Sequence, residues 1–204
     1  MKKIIAFVLC IMVLLRPICA SAYSVLPIAY WYSNSSDIGF WASTPTISRI
    51  KLNTNSTFYF EDGYSRARSQ WSGAGISTTS IGSSTSAQIV CRGGTVNEIV
   101  NAGTGITAST LNGLNGITYI SSTFQDYLSY NGSQKVLRKL SSADVYIVDN
   151  GNTLDEQKNT FIHEVGHALG WFGHSTVSSD VMYTYGTNII TLTTRDKDHL
   201  TQVY

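Results

Sequence analysis

The stretch HEVGHALGWFGH, residues 163–174, contains three of the four histidines in the chain. His163 and His167 are four residues apart. On a helix of 3.6 residues per turn, both imidazoles project from one side, one turn above the other. That spacing lets two ring nitrogens reach one zinc ion at about 2.0–2.1 Å. Glu164 is rotated by about 100° from His163 around the same axis. It sits where a carboxylate can reach a water beside the metal, the position of a general base. The chain holds only four glutamates and four histidines, so a shuffled sequence would produce H-E-x-x-H on the order of once in several hundred times.

The flanking residues supply a helix for the motif. Thr153 and Glu156 have capping-box spacing. Leu154, Phe161, Ile162, Val165, Ala168 and Leu169 form an apolar stripe with helical periodicity. Gly170 is the expected left-handed terminator of a helix over 154–169.

A hydrolytic zinc keeps three protein ligands and one open position. After Glu164 there is no further glutamate, so a downstream Glu cannot be the third ligand. His174, Asp180, Asp196, Asp198 and His199 remain as candidates. His174 is nearest, and Gly173 before it can adopt the backbone angles a turn beneath the metal needs. His199 falls within an amphipathic C-terminal segment and is expected to be a solvated helix residue.

HEVGHALG, His174-Ser175 and the later DVMY together resemble a metzincin metalloendopeptidase of the matrixin-like branch. That motif is H-E-x-x-H-x-x-G-x-x-H followed by a methionine in a tight turn. His163, Glu164, His167 and Gly170 match it directly. His174 comes one residue late, with Trp171, Phe172 and Gly173 filling the gap, while Met182 falls eight residues after His174, in register with the family. The resemblance implies zinc held by His163, His167 and His174, Glu164 as general base, and Gly170 and Met182 as supports. It spans roughly residues 46–204, strongly at 153–183 and weakly elsewhere. It also implies that a substrate peptide adds as an extended antiparallel strand to an edge strand, here Gly116, Ile117, Thr118, Tyr119 and Ile120. The implied fold is zincin-like α/β (α+β), with a mixed, mostly parallel twisted sheet, an active-site helix, a Met-turn and a C-terminal helix.

Three features depart from the pattern. No thiol latency motif lies between Tyr23 and the domain. Only His199 is left over for a second, structural zinc, so one catalytic ion is expected. Thr184, not a tyrosine, stands two residues after Met182. Calcium could use the oxygens of DNGN, residues 149–152, although turn-forming Asp and Asn are the commoner explanation.

The remainder of the chain fits one domain. Two lysines, the apolar run IIAFVLCIMVLL and the small residues Ala20-Ser21-Ala22 read as a secretory signal peptide over 1–22, leaving a domain of 23–204. The apolar run is shorter than the ~20 residues a membrane span needs. With 14 Lys and Arg against 13 Asp and Glu, no charge excess points to nucleic acid or anionic lipid. A soluble, extracellular, monomeric protein is expected. Of three cysteines only Cys91 lies beyond the signal segment. No internal disulfide can form in the mature chain, and Cys91 is expected to be a buried structural thiol. The segment 23–45 is expected to be extended chain packed on the domain.

Strands are expected over 46–53, 86–94, 116–124 and 143–150 from alternating or β-rich patterning. Tyr64, Ala67 and Trp71 mark a helix ending near Gly73. Residues 95–116 read as a long loop. Thr193 and Asp196 cap a last helix whose Leu200, Val203 and Tyr204 face the core. Trp171 and Phe172 either line a substrate pocket or pack under the helix end. The leading expectation is a secreted zinc endopeptidase. Its rivals are a metzincin-like binding module without activity and a zinc hydrolase acting on something other than protein.

Overall fold

The computed structural model describes residues 36–130 and 133–204. The expected signal peptide at 1–22 and the first part of the aromatic segment, up to residue 35, lie outside them. Among the described residues, six strands and five helices form an α/β structure. The strands are β1 (Asp37–Phe40), β2 (Thr46–Lys51), β3 (Thr79–Ser80), β4 (Ile89–Gly94), β5 (Gly116–Tyr130) and β6 (Ser133–Val148). The helices are α1 (Phe60–Gly73), α2 (Val96–Asn101), α3 (Ala108–Leu111), α4 (Leu154–Ala168) and α5 (Thr194–Thr201).

One sheet runs β1-β6-β4-β2-β3, with β5 paired to β6. Every pairing is parallel except β5 with β6. The sheet is therefore mixed and mostly parallel, with β5 antiparallel along one edge. Ile47, Ile89, Cys91, Val145 and Ile147 share one face and join the main core with Trp71, Phe161, Ile162 and Val165. Cys91 is fully buried, as expected, and burial pushes its thiol far above the ordinary range. Helices α1 and α4 are locked by the Trp71 indole donating to the Ile162 carbonyl at 2.9 Å and by the edge-on Phe60 and Phe161 rings, 4.9 Å apart. Among the described residues, no helix is long and apolar enough to cross a membrane.

The opposite face is where the sequence reading needs correction. Residues 95–116 are not a long loop. Thr95 and Glu98 form a capping box for α2, and Ile99 and Leu111 are buried against Tyr146 and Val148. The apolar residues there are sparse because each short helix covers only a small patch of sheet. The expected strand pair is also longer than its apolar segments: β5 and β6 make a hairpin that outruns them. Backbone pairing alone can extend a hairpin where side chains give no periodic signal. Helix α1 does end at Gly73, but the left-handed residue is Gly75 (φ 87°). Tyr204 is 46% exposed, contrary to expectation, though its hydroxyl donates to the Leu169 carbonyl.

Candidate metal centre and cleft

Helix α4 is built as the sequence suggests. The Thr153 side chain accepts from Glu156 N–H, and Glu156 returns a carboxylate to the Thr153 N–H at 2.7 Å. Its far end is fixed by two long-range hydrogen bonds and a glycine turn. Trp41 Nε1 donates to the Ala168 carbonyl, the Gly39 N–H donates to the Gly170 carbonyl, and Gly170 turns with φ 114°. A Cβ at Gly170 would lie 2.1 Å from the Gly39 oxygen, so both the turn and the close approach require glycine. Gly166 is required for packing, since a Cβ there would meet Met182 Sδ at 2.5 Å and Trp71 at 2.7 Å.

His163, His167 and His174 converge, their potential ligand atoms all within 4.8 Å of one another. The extra residue in the motif is absorbed at Gly173, whose φ is 73°. Backbone carbonyls set the tautomers of the two helical histidines. His163 Nδ1 lies 2.9 Å from the Val181 oxygen, and His167 Nδ1 lies 2.7 Å from the Trp171 oxygen. A carbonyl only accepts, so each Nδ1 carries the proton and each Nε2 presents a lone pair. Those two Nε2 atoms face each other at 3.0 Å. Two lone pairs at that distance repel unless a cation lies between them, and about 3.3 Å would separate two ligands of a tetrahedral zinc. The donor set therefore fits a divalent metal ion, with its outer hydrogen bonds already in place. Burial depresses the basicity of all three rings. It holds His174 down at about 4, with help from neighbouring His163, and holds His167 well below the ordinary imidazole range. His163 is also lowered by burial, against the opposing pull of the Val181 carbonyl. Neutral imidazole is the ligand form.

The other candidate ligands are committed elsewhere. Asp196 is buried and accepts from the N–H groups of Val181, Met182 and Thr193 and from the Thr193 hydroxyl. It thereby clamps the turn that carries Met182. Asp180 is buried and bonds Arg195, Ser175 and Thr193; burial works against its charge, but these donors outweigh it and keep it below the usual carboxylate range. Asp198 lies on α5, outside the histidine cluster. His199 is not solvated. It is fully buried, its ring centroid 4.0 Å from that of Trp171. The charged run RDKD around it conceals a helix face that the core reclaims. Asp149 of DNGN accepts at Oδ2 from Asn53 and Asn55, tying loops together.

Met182 is fully buried, and its carbonyl accepts from the Ser175 N–H at 2.7 Å. This bond joins the residue after His174 to the methionine turn. It gives a physical reason for the eight-residue spacing, which closes one short loop beneath the metal ligands.

Glu164 lies in the cleft wall beside His163. Burial raises its carboxyl to about 7, opposed by the Thr118 hydroxyl 2.7 Å from Oε2. Thr118 belongs to β5, 46 residues away, and no sequence signal marked it as Glu164's partner. Gly116 also stands against Glu164, where a Cβ would come within 2.8 Å of its Cγ. The expected strand Gly116 to Ile120 does form the upper rim. One cavity, about 560 Å³, runs from Ile117–Ile120 to His167, His174 and Phe172. A second, about 280 Å³, lies between Gly113–Gly116 and Thr184–Gly186, with Asn159 and Thr160 within it. Thr184, Tyr185 and Asn115 line this second cavity, and no sequence signal marked them for that place. Trp171 is fully buried under the helix end yet still contributes to the cleft lining, and half-buried Phe172 lines the cleft beside it.

No family profile and no curated protein sequence matches the chain.

Proposed function

We propose that this protein is a secreted, monomeric, zinc-dependent endopeptidase with a zincin-like fold of the metzincin, matrixin-like kind. The observation that carries the reading is the pair of fixed tautomers whose Nε2 lone pairs face each other at 3.0 Å, beside a third histidine and a buried carboxylate. Its motif spacing and the preceding signal-like segment are consistent with it. His163, His167 and His174 would hold the ion. Zinc, when bound, supplies a Lewis acid that polarises a carbonyl and acidifies water to a pKa of roughly 7.

The chain's own groups do the rest. The edge strand β5 offers backbone N–H and C=O groups to an extended peptide, and Thr118 holds Glu164 Oε2 toward the cleft. The Glu164 carboxylate takes a proton from the attacking water as the new C–O bond forms. It then delivers that proton to the amide nitrogen as the C–N bond breaks, releasing an amine and a carboxylic acid. A site with acid–base chemistry near neutrality needs a carboxylate raised from its ordinary range, and burial of Glu164 raises it.

The test uses purified protein, its zinc content and cleavage of casein. Glu164→Gln should retain zinc and lose about 10²–10⁴-fold in kcat. Wild-type rates in that variant, or a protein that binds no zinc and cleaves nothing, would rule the reading out. The latter result favours the non-catalytic binding module.

A further inference from the structure

The edge strand continues well past the histidines. β5 has 15 residues, against about 5–6 for an ordinary strand, and only Gly116 to Ile120 line the cleft. From Ser121 onward β5 pairs with β6 on one side. No other described strand pairs with its outer side.

Such an edge is an aggregation hazard. Proteins protect it with Lys, Pro, a short length or a covering element. The segment SSTFQDYLSY, residues 121–130, has no Lys, Arg or Pro, and Asp126 is its one charged residue. Bulges at Ser121/Ser122 and Phe124/Asp126 add twist. The segment nevertheless exposes Phe124 (54%) and Tyr127 (57%), with ring centroids 4.9 Å apart. An open backbone edge carrying a paired aromatic platform, continuous with the cleft, matches the requirements for holding another extended chain.

We propose that Ser121–Tyr130 is an exosite for the part of a polypeptide substrate that lies N-terminal to the cleaved bond. This rests on the peptidase reading above. Polarity follows from strand geometry. Antiparallel pairing is the more stable arrangement per residue, and β5 runs from the smaller cavity at Gly113–Gly116 past the histidines toward Tyr130. A peptide lying antiparallel to it places residues after the cleaved bond at that cavity. Residues before the bond lie along Thr118 and then against Phe124 and Tyr127. The substrate class is therefore long polypeptides with an extended, apolar stretch upstream of the cut, not short peptides.

The experiment takes one peptide cleaved by the protein from casein. It is lengthened by six strand-forming residues at either the N-terminal or the C-terminal end, and KM and kcat are measured. The N-terminal extension should lower KM on the order of tenfold with little change in kcat. The C-terminal extension should leave KM unchanged. The double variant Phe124→Ser, Tyr127→Ser should lose the gain and cleave the short peptide at the wild-type rate, which also shows that it is folded. Equal KM for all lengths, or a gain on C-terminal extension, overturns the proposal. A dimer that dissociates in the double variant, without any length effect, would assign the edge to a second copy of the chain instead. If no peptide of any length is cut, the peptidase reading itself fails and the exosite fails with it.

Discussion

Helix α4 buries nine of its fifteen residues. On β5, across the cleft, Leu128 alone is buried among Gly116–Ser129. The helix side is over-determined. Carbonyls fix two imidazoles, Asp196 clamps the methionine turn, and glycines at 166 and 170 admit contacts no other residue would. On the strand side, no described strand pairs with the outer edge of β5, and few side chains are constrained. The difference separates two physical demands. Metal ligands and a proton-transfer group must stay within fractions of an ångström of one geometry, whereas recognition of an extended chain needs hydrogen-bonding groups not yet used. Substitutions on the helix side should therefore cost stability, and those on the strand should not.

Gly170→Ala gives the largest contrast. It forces a non-glycine residue to φ 114° with Cβ against the Gly39 oxygen. The expected cost is about 3 kcal/mol or more, a fall in Tm of about 10 °C by calorimetry. Ser129→Ala on β5 should stay within about 0.5 kcal/mol. Comparable losses from both would remove the distinction between the two sides. Asp196→Asn comes next. It replaces one oxygen of a carboxylate that receives three N–H groups with an amide that donates. A loss of about 2–3 kcal/mol in urea unfolding is expected, with zinc affinity about 10–100-fold weaker in a chelator titration. Unchanged zinc affinity would mean that the methionine turn does not hold the ligands in place.

The same division governs what the sequence revealed. The α4 side was legible because its signals are local: a capping box at Thr153 and Glu156, a helical stripe, two histidines one turn apart, and Gly173 where an extra residue had to be absorbed. Strand β2 was legible because TISRIK alternates apolar and polar residues, and β4 because Ile89, Val90 and Cys91 form a β-rich buried run. Helices α2 and α3 were missed because each buries only a residue or two. The hairpin beyond residue 124 was missed because QDYLSY has no period to follow. His199 was misread because a single buried imidazole among charged neighbours resembles a solvated one until Trp171 is seen against it. Thr118 was read only as edge strand and Asp196 only as a helix cap, a role it does fill. Their bonds to Glu164 and to the methionine turn were not foreseen, since these partners lie 46 residues and 14–15 residues away respectively and no spacing rule links them.

Thr118→Val tests the junction of the two regions, and its effect should be the smallest. Valine keeps the shape and the strand but removes the hydroxyl 2.7 Å from Glu164 Oε2. That hydrogen bond favours the ionised carboxylate, opposing the rise to about 7 that burial causes. Without it the carboxyl pKa moves further up. The base must be ionised to accept a proton, so the acidic limb of the kcat/KM profile should shift to higher pH. Activity should fall several-fold below neutrality and recover as pH rises. Stability should change by about 1 kcal/mol or less, because the strand edge bears little of the fold's energy. A uniform loss across the pH range would instead mean that Thr118 positions Glu164 without tuning its proton affinity. A limb moving to lower pH would contradict the assignment of that hydroxyl as a donor to the carboxylate.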